Sequence, residues 1–288
     1  MESVQQLLDL LTLTKTESLE FKGQSISIGS PYIFGGQVIS QALNAACRTV
    51  EKDRFLHSTH AYFLEKGNLY KNLTFKVSVI RDGKSFSVRR VTVTQEGINI
   101  LILAASFHIV EDNYSHQQKM DTSIPQPEDL LSWDEYYSKF KAKLPLGIKE
   151  FLSVKRPVEF KPSNFINTLN IKSLSPFSNV WFRLKGNVEE VSIELKKQIL
   201  AYISDYNLLM VASFPFADQI NWQKFVHVSL DHSIWFFRDF DFKDWMLFSF
   251  ESPNANNSRG FSRGHIYNRN GNLVASVSQE GLFRELNE

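Results

Sequence analysis

The chain has 288 residues, 43% of them hydrophobic, with 32 basic and 31 acidic side chains and a net charge of +1. That length can bury a large core as one long domain or two small ones. The charge balance excludes whole-chain attraction to nucleic acid or anionic lipid. A single cysteine, Cys47, excludes an intramolecular disulfide and fits a reducing, cytoplasmic setting.

The N-terminal MESVQQLLDLLTL has acids bracketing its apolar run and no basic region before it, so it reads as a short amphipathic helix rather than a signal sequence. No membrane insertion is expected: the apolar stretch from Ile98 to Phe107 is far below the ~20 residues needed to span a bilayer. The C-terminal Leu286-Asn287-Glu288 is not a Ser-Lys-Leu peroxisomal address.

A strand is expected from Phe21 to Ile28, then a helix over Val38 to Ala46 with Gly35-Gly36 marking its start. Phe75, Val77 and Val79 alternate with polar residues, Arg81-Asp82-Gly83-Lys84 is a hairpin turn signal in which Asp-Gly accepts positive φ, and Phe86 to Val93 returns. Glu96-Gly97 turns into Ile98 to Val110. From Glu111 to about Ser163 the pattern weakens, punctuated by Pro125, Pro127, Pro145, Pro157 and Pro162. Aromatic residues and a helix over Asp129 to Leu144 mark this stretch as a packed connector. Strand (Val180 to Leu184), long helix (Val191 to Met210) and four strand-like stretches (Phe225 to Phe237, Trp245 to Glu251, Gly260 to Asn268, Val274 to Arg284) then repeat the first half. Local echoes support the repeat. Thr59-His60-Ala61-Tyr62-Phe63 resembles Asp231-His232-Ser233-Ile234-Trp235, which sets His60 against His232, and Ser85-Phe86-Ser87 resembles Gly260-Phe261-Ser262. Helix then antiparallel strands, twice over, is an α+β double hotdog: 1–110 the N-terminal unit, 111–163 the connector, 164–288 the C-terminal unit.

Asp205 carries the most information. It falls in a mostly apolar helical stretch, where a carboxylate is costly to bury and a poor helix former. It is either part of an exposed polar face or a general base. Gln279 and Ser229, on strands, read alone as ordinary strand residues. His57, His60 and His232 read as structural, and Cys47 as packing. The seven histidines are scattered without ligand spacing, so neither a metal nor a cofactor is expected. The chain has no Gly-x-Ser-x-Gly elbow, phosphate loop or dinucleotide fingerprint. Gly35-Gly36 at a helix start could offer N–H groups to a carbonyl oxygen. Lys84, Arg89 and Arg90, and Arg259 with Arg263, could meet phosphates or simply line outer strand faces.

Phe34-Gly35-Gly36-Gln37-Val38 with Gln41-Ala42-Leu43 resembles the first-helix signature of the type II acyl-CoA thioesterases, the bacterial thioesterase II and peroxisomal group. His57-Ser58-x-His60, Arg81 to Val91, Ser204-Asp205-Tyr206-Asn207, Leu230 to Phe236, Ser258 to Gly264 and Gln279-Glu280-Gly281 are similar to the same family, in the same order, from about Phe21 to Arg284. The resemblance implies a double-hotdog hydrolase of fatty acyl-CoA that works through activated water. Its catalytic trio would be Asp205, Ser229 (where the family has Thr or Ser) and Gln279. From their own chemistry, Gly35, Gly36, Arg90, Arg259 and Arg263 are expected as substrate contacts, and because hotdog sheets commonly pair, a homodimer or homotetramer is expected. Matching Gln37 to Gln198 sets Asn44 against Asp205, so one active site per chain is expected. Two alternatives remain. One is a hotdog enoyl-CoA hydratase, although Leu208-Leu209-Met210 replaces the Pro and His of that motif. The other is a non-catalytic acyl-CoA binder.

Overall fold

The computed structural model describes residues 1–144, 146–163, 172–186, 188, 190–222 and 224–285. Pro145, the first residues of the expected C-terminal unit (164–171) and residues 286–288 lie outside them. The N-terminal run forms helix α1 (Val4–Leu11). Ser3 and Gln6 close a capping box at its start, and Val4, Leu7, Leu10 and Leu11 are buried. Strands β1 (Thr14–Glu17) and β2 (Glu20–Gly23) follow. The strand expected to reach Ile28 stops at Gly23, because the chain beyond is tied to a helix instead of a neighbouring strand. Gln41 Nε2 donates to Gln24 O at 2.9 Å, and Ile26 N–H donates to Gln37 Oε1 at 3.2 Å. Those two glutamines belong to α2 (Gly35–Cys47), which is buried almost all round.

The first half continues through β3 (Phe55–Phe63), β4 (Leu73–Asp82), β5 (Phe86–Gln95) and β6 (Ile98–His108). The turn after β4 is closed by Gly83 N–H donating to Phe86 O at 2.8 Å, without the positive φ expected of Asp-Gly. The left-handed pair is Glu96 (φ 49°) and Gly97 (φ 83°), which joins β5 to β6. Helix α3 (Trp133–Phe140) is shorter than the helix expected, since Ser132 and Glu135 cap it at the start. It is followed by α4 (Leu146–Ser153). The stretch expected as connector ends in a strand, β7 (Val158–Pro162), which pairs with β8 (Phe177–Leu184). The second half completes with α5 (Ile193–Ser204), β9 (Phe225–Ser229), β10 (Asp231–Phe236), β11 (Met246–Asn256), β12 (Arg259–Asn268) and β13 (Leu273–Glu285).

Among the described residues the strands form one 13-stranded sheet, in the order β1-β2-β4-β5-β6-β3-β10-β13-β12-β11-β8-β7, with β9 on β13. Outward from the β3–β10 seam, β6, β5 and β4 on one side answer β13, β12 and β11 on the other. This is the double hotdog read from the sequence. Antiparallel pairing at the seam sets His60 opposite Ser233 and Ala61 opposite His232. The sequence match of His60 with His232 is therefore one residue out of step. His60 faces solvent and His232 is fully buried, because a shift of one along a strand exchanges its faces.

Helices α2 and α5 lie together under the sheet within one apolar cluster that draws on both halves. They approach closely. Ser40 Oγ, on α2, is 2.8 Å from Gln198 O of α5, and a Cβ built on Gly36 would lie 2.6 Å from Tyr202 O. The opposite face of β8, β11 and β12 is covered by the connector, with Ile124 packed among Trp181, Trp245 and Leu247.

Replacing Gly36 with alanine forces the two helices apart. The variant is expected to lose about 1–3 kcal/mol, read as a lower denaturant midpoint at unchanged m-value. An unchanged midpoint would show that the helices can separate without cost.

Candidate active site

The helix expected to run to Met210 ends at Ser204, and Asp205 is its C-cap. Asp205 thus lies at the end of an apolar helix rather than inside it. Asp is a weak helix former, and Asn207 two residues on takes a left-handed φ of 69°, which Asn tolerates. The chain then enters a 3-10 turn, Leu209–Phe216.

The end of α5 delivers the Asp205 carboxylate to the start of α2, where Gly36 N–H donates to Oδ2 at 2.7 Å. A helix N-terminus is the favourable end for an anion. Both glycines are needed for the approach, since a Cβ on Gly35 would lie 2.8 Å from Oδ2. From the sheet side, Gln279 Nε2 donates to Asp205 Oδ1 at 2.7 Å and to Ser229 Oγ at 2.8 Å. The structure therefore brings Asp205, Ser229 and Gln279 into one hydrogen-bonded chain, drawn from α5, β9 and β13.

The Gln279-Glu280-Gly281 motif holds this geometry. Gln279 is fully buried, Glu280 N–H donates to Asp231 Oδ1 at 2.7 Å, and Gly281 makes room for Leu209, whose Cδ2 would lie 2.3 Å from a Cβ there. Asp205 has a side chain 4% exposed. Burial raises its pKa to about 6, against the opposing pull of the bonds from Gln279 and Gly36. Behind it, His232 Nε2 is 2.9 Å from Ser204 Oγ and Nδ1 is 3.8 Å from Asp205 Oδ1. Burial lowers the His232 pKa to about 3, so the ring is neutral.

Asp205 and Ser229 open onto a cavity of about 1810 Å³. That exceeds the roughly 300–1,000 Å³ of common small-ligand pockets. It is lined by Phe34, Gly35, Phe63, Trp133 and Phe151, and by Met210, Trp222, Phe225 and His227. A large, mainly apolar space with one buried acid and a hydroxyl in its lining suits a long apolar ligand with a single reacting polar group.

The other candidates lie elsewhere. Arg259 pairs with Glu280 at 3.1 Å, Arg263 with Glu251 at 2.8 Å, and Arg90 is exposed on the sheet; none of the three lines the cavity. Arg89 is buried and bonded to Asp82 and Thr49. The sequence reading passed over Lys66, which is the one Lys or Arg lining the cavity among the described residues; its ammonium sits 4.6 Å from the Tyr32 ring centroid. His232, read as structural, does make the core hydrogen bond expected of it, to Ser204 Oγ at 2.9 Å, although the match that paired it with His60 is one residue out of step. In α2, Asn44 bonds Gln198 Oε1 at 3.1 Å, an amide pair where the second half has an acid. Among the described residues no three His, Cys, Asp or Glu are gathered as a metal would need.

Comparison with known proteins agrees with this architecture. The family profile described as acyl-CoA thioesterase matches residues 149–282, and that of the acyl-CoA thioesterase N-terminal domain matches residues 24–108. The chain is 35% identical to acyl-CoA thioesterase 2 of Haemophilus influenzae over 278 residues, 96% of each protein. It is 34% identical to human acyl-coenzyme A thioesterase 8 over 284 residues, covering 96% of this chain and 88% of that one. Among solved structures, an acyl-CoA thioesterase II from Mycobacterium marinum superposes with a TM-score of 0.79 at 31% identity, over 96% of this chain and 98% of that one. A two-half sheet around paired helices, matched in both halves by relatives of nearly the same length, places this chain in the acyl-CoA thioesterase family.

Proposed function

We propose that this protein hydrolyses fatty acyl-CoA to free acid and CoA with water activated by Asp205 and positioned by Ser229 and Gln279. The observation that carries the reading is the buried Asp205 carboxylate, bonded to Gln279 and through it to Ser229 at the wall of an apolar cavity. A thioester carbonyl is electrophilic enough to be attacked directly by a bound water. Gln279 spends both amide hydrogens on Asp205 and Ser229, which leaves the Ser229 hydroxyl hydrogen free to fix a water. Asp205 takes a proton from that water as it attacks. The proton then passes to the departing CoA sulfur, so the carboxylate is restored and no covalent enzyme intermediate forms. Gly36 N–H is engaged by Asp205. Gly35 N–H, at the positive end of the same helix, is the donor this turn has left for the carbonyl oxygen.

Three further parts belong to the same reading. The acyl chain is fatty, because the cavity is large and ring-lined. Lys66 meets a phosphate of CoA in place of Arg90, Arg259 and Arg263; a phosphate at either of the last two would first have to displace a carboxylate. Chains associate through the exposed apolar side chains Tyr62, Ile98 and Ile102 on β3 and β6, in a cytoplasmic setting.

Free-thiol release from a panel of acyl-CoAs tests the activity, and its absence with every chain length would remove it. Asp205→Asn is expected to bind product normally and to lose about 10²–10⁴-fold in turnover; near-normal turnover would exclude Asp205 as the base. Because a base must be unprotonated and burial holds Asp205 near 6, kcat/KM is expected to be flat above about pH 6. Below that it should fall by roughly tenfold per pH unit. A profile flat to pH 4.5 would contradict the assignment. Lys66→Ala is expected to raise KM roughly tenfold for acyl-CoA and to leave it unchanged for an acyl-pantetheine, which lacks the nucleotide phosphates. Equal effects on both would place Lys66 elsewhere.

A further inference from the structure

Two consecutive residues, Ser204 and Asp205, lie against the two nitrogens of one imidazole. His232 is fully buried on β10 and does not line the cavity. Its Nε2 is 2.9 Å from Ser204 Oγ. Its Nδ1 has no hydrogen-bond partner and stands 3.8 Å from Asp205 Oδ1. A buried ring nitrogen left without a partner is costly, so its orientation toward a carboxylate needs a reason.

The Ser204 hydroxyl has one proton and two acceptors within reach, Ala201 O at 2.9 Å and His232 Nε2 at 2.9 Å. If the proton goes to the carbonyl, the ring must donate from Nε2, and a bare Nδ1 lone pair faces a carboxylate oxygen. If it goes to Nε2, the ring hydrogen sits on Nδ1 and faces Oδ1 as a donor. Coulomb's law favours the second arrangement while Asp205 is ionised. Burial keeps the imidazole neutral, so it orients the carboxylate without the full positive charge that would strip Asp205 of its basicity.

The other groups facing Asp205 are Gly36 N–H from α2, the Gln279 amide from β13, and the Tyr202 and Tyr206 side chains. Burial raises both tyrosines, Tyr206 to about 12, so both stay protonated across the working range. His232 is thus the one neighbour whose proton can sit at either of two places.

We propose that His232 is a positioning residue for the hydrolysis, held by Ser204 as the Nδ1–H tautomer and steering Asp205 Oδ1 onto the attacking water. The inference rests on the reading of Asp205 as the base. The Nδ1 contact shortens once water and thioester are bound, as catalytic hydrogen bonds often do on passing from the free enzyme to the complex.

The test pairs kinetics on His232→Ala and His232→Asn with nitrogen NMR of the histidine-labelled, full-length wild type. Asparagine places its amide N–H near the position of Nδ1. His232→Ala is expected to lose about 10- to 100-fold in kcat with KM unchanged, and its acid limb to move to higher pH as the carboxylate loses a donor. His232→Asn is expected to recover most of the loss. The wild-type spectrum is expected to show one histidine protonated on Nδ1 at pH 8 that changes on His232→Asn. A purely structural His232 would lower the melting temperature and leave the acid limb in place. The proposal is overturned by an Nε2–H tautomer in the wild type, by equal losses in both variants with the limb unmoved, or by full kcat in His232→Ala. Should the alanine variant not fold, the NMR result and the asparagine variant decide. The tautomer is read without reference to turnover, so a failure of Asp205 as base, seen in Asp205→Asn, stays distinct from a failure of this pairing.

Discussion

The carboxylate of Asp205 is held where the end of one helix meets the start of another. The last turn of α5 would repel it, and the first turn of α2 attracts it. Only the second effect has a hydrogen bond behind it, the Gly36 N–H at 2.7 Å. For that bond to form, the helices must approach until no Cβ fits at Gly36. The small side chains along α2, the Ser40 contact to Gln198 O, and the glutamines that tie the N-terminal arm to the same helix all serve the approach. The acid comes from one half of the chain and its backbone donor from the other. The halves are therefore joined at the chemistry as well as at the β3–β10 seam.

Much of this was legible beforehand. The order of helix and strands repeated at the level of whole elements, and the sheet followed it. Asp205 stood out because a carboxylate in an apolar stretch needs an explanation. Its place was misread, since hydrophobic periodicity continues through Leu208 to Met210 and does not register a left-handed Asn207. Ser229 and Gln279 are invisible to composition and spacing. They matter because β9 and β10, both on β13, carry Ser229 over a residue 50 positions away in sequence. The histidine match failed for a related reason: similarity in short strings cannot detect an offset of one, and in a strand an offset of one is the difference between core and solvent. Lys66 sits in a loop with no pattern of its own and was found only through the cavity.

The two halves have kept the same architecture and divided the work. Where the second half has Asp205, the first has Asn44, whose amide donates to Gln198 Oε1. The first half supplies the turn that holds the acid, several of the rings that line the cavity, and Lys66. Its contribution is geometric, and the groups proposed to act on water, Asp205, Ser229 and Gln279, all come from the second half. In the proposed reaction a single acid with a raised pKa, fixed by two donors, serves as base for a substrate as reactive as a thioester, and no covalent nucleophile is invoked.

The wide sheet has one remaining consequence at its margins. Among the described residues the path of strands ends at β1 and β7, with β9 a side strand paired to β13 alone, and an open edge is a template for another chain. Here the last strands are β1, four residues long and exposed throughout, and β7, five residues long and ending in Pro162, which has no N–H to offer. Lys15, Glu17, Glu159 and Lys161 add charge along both. Fusing two half-sheets removes two inner edges, and the outer pair are too short and too charged to recruit a stranger. Growth into fibres is thereby discouraged at both margins.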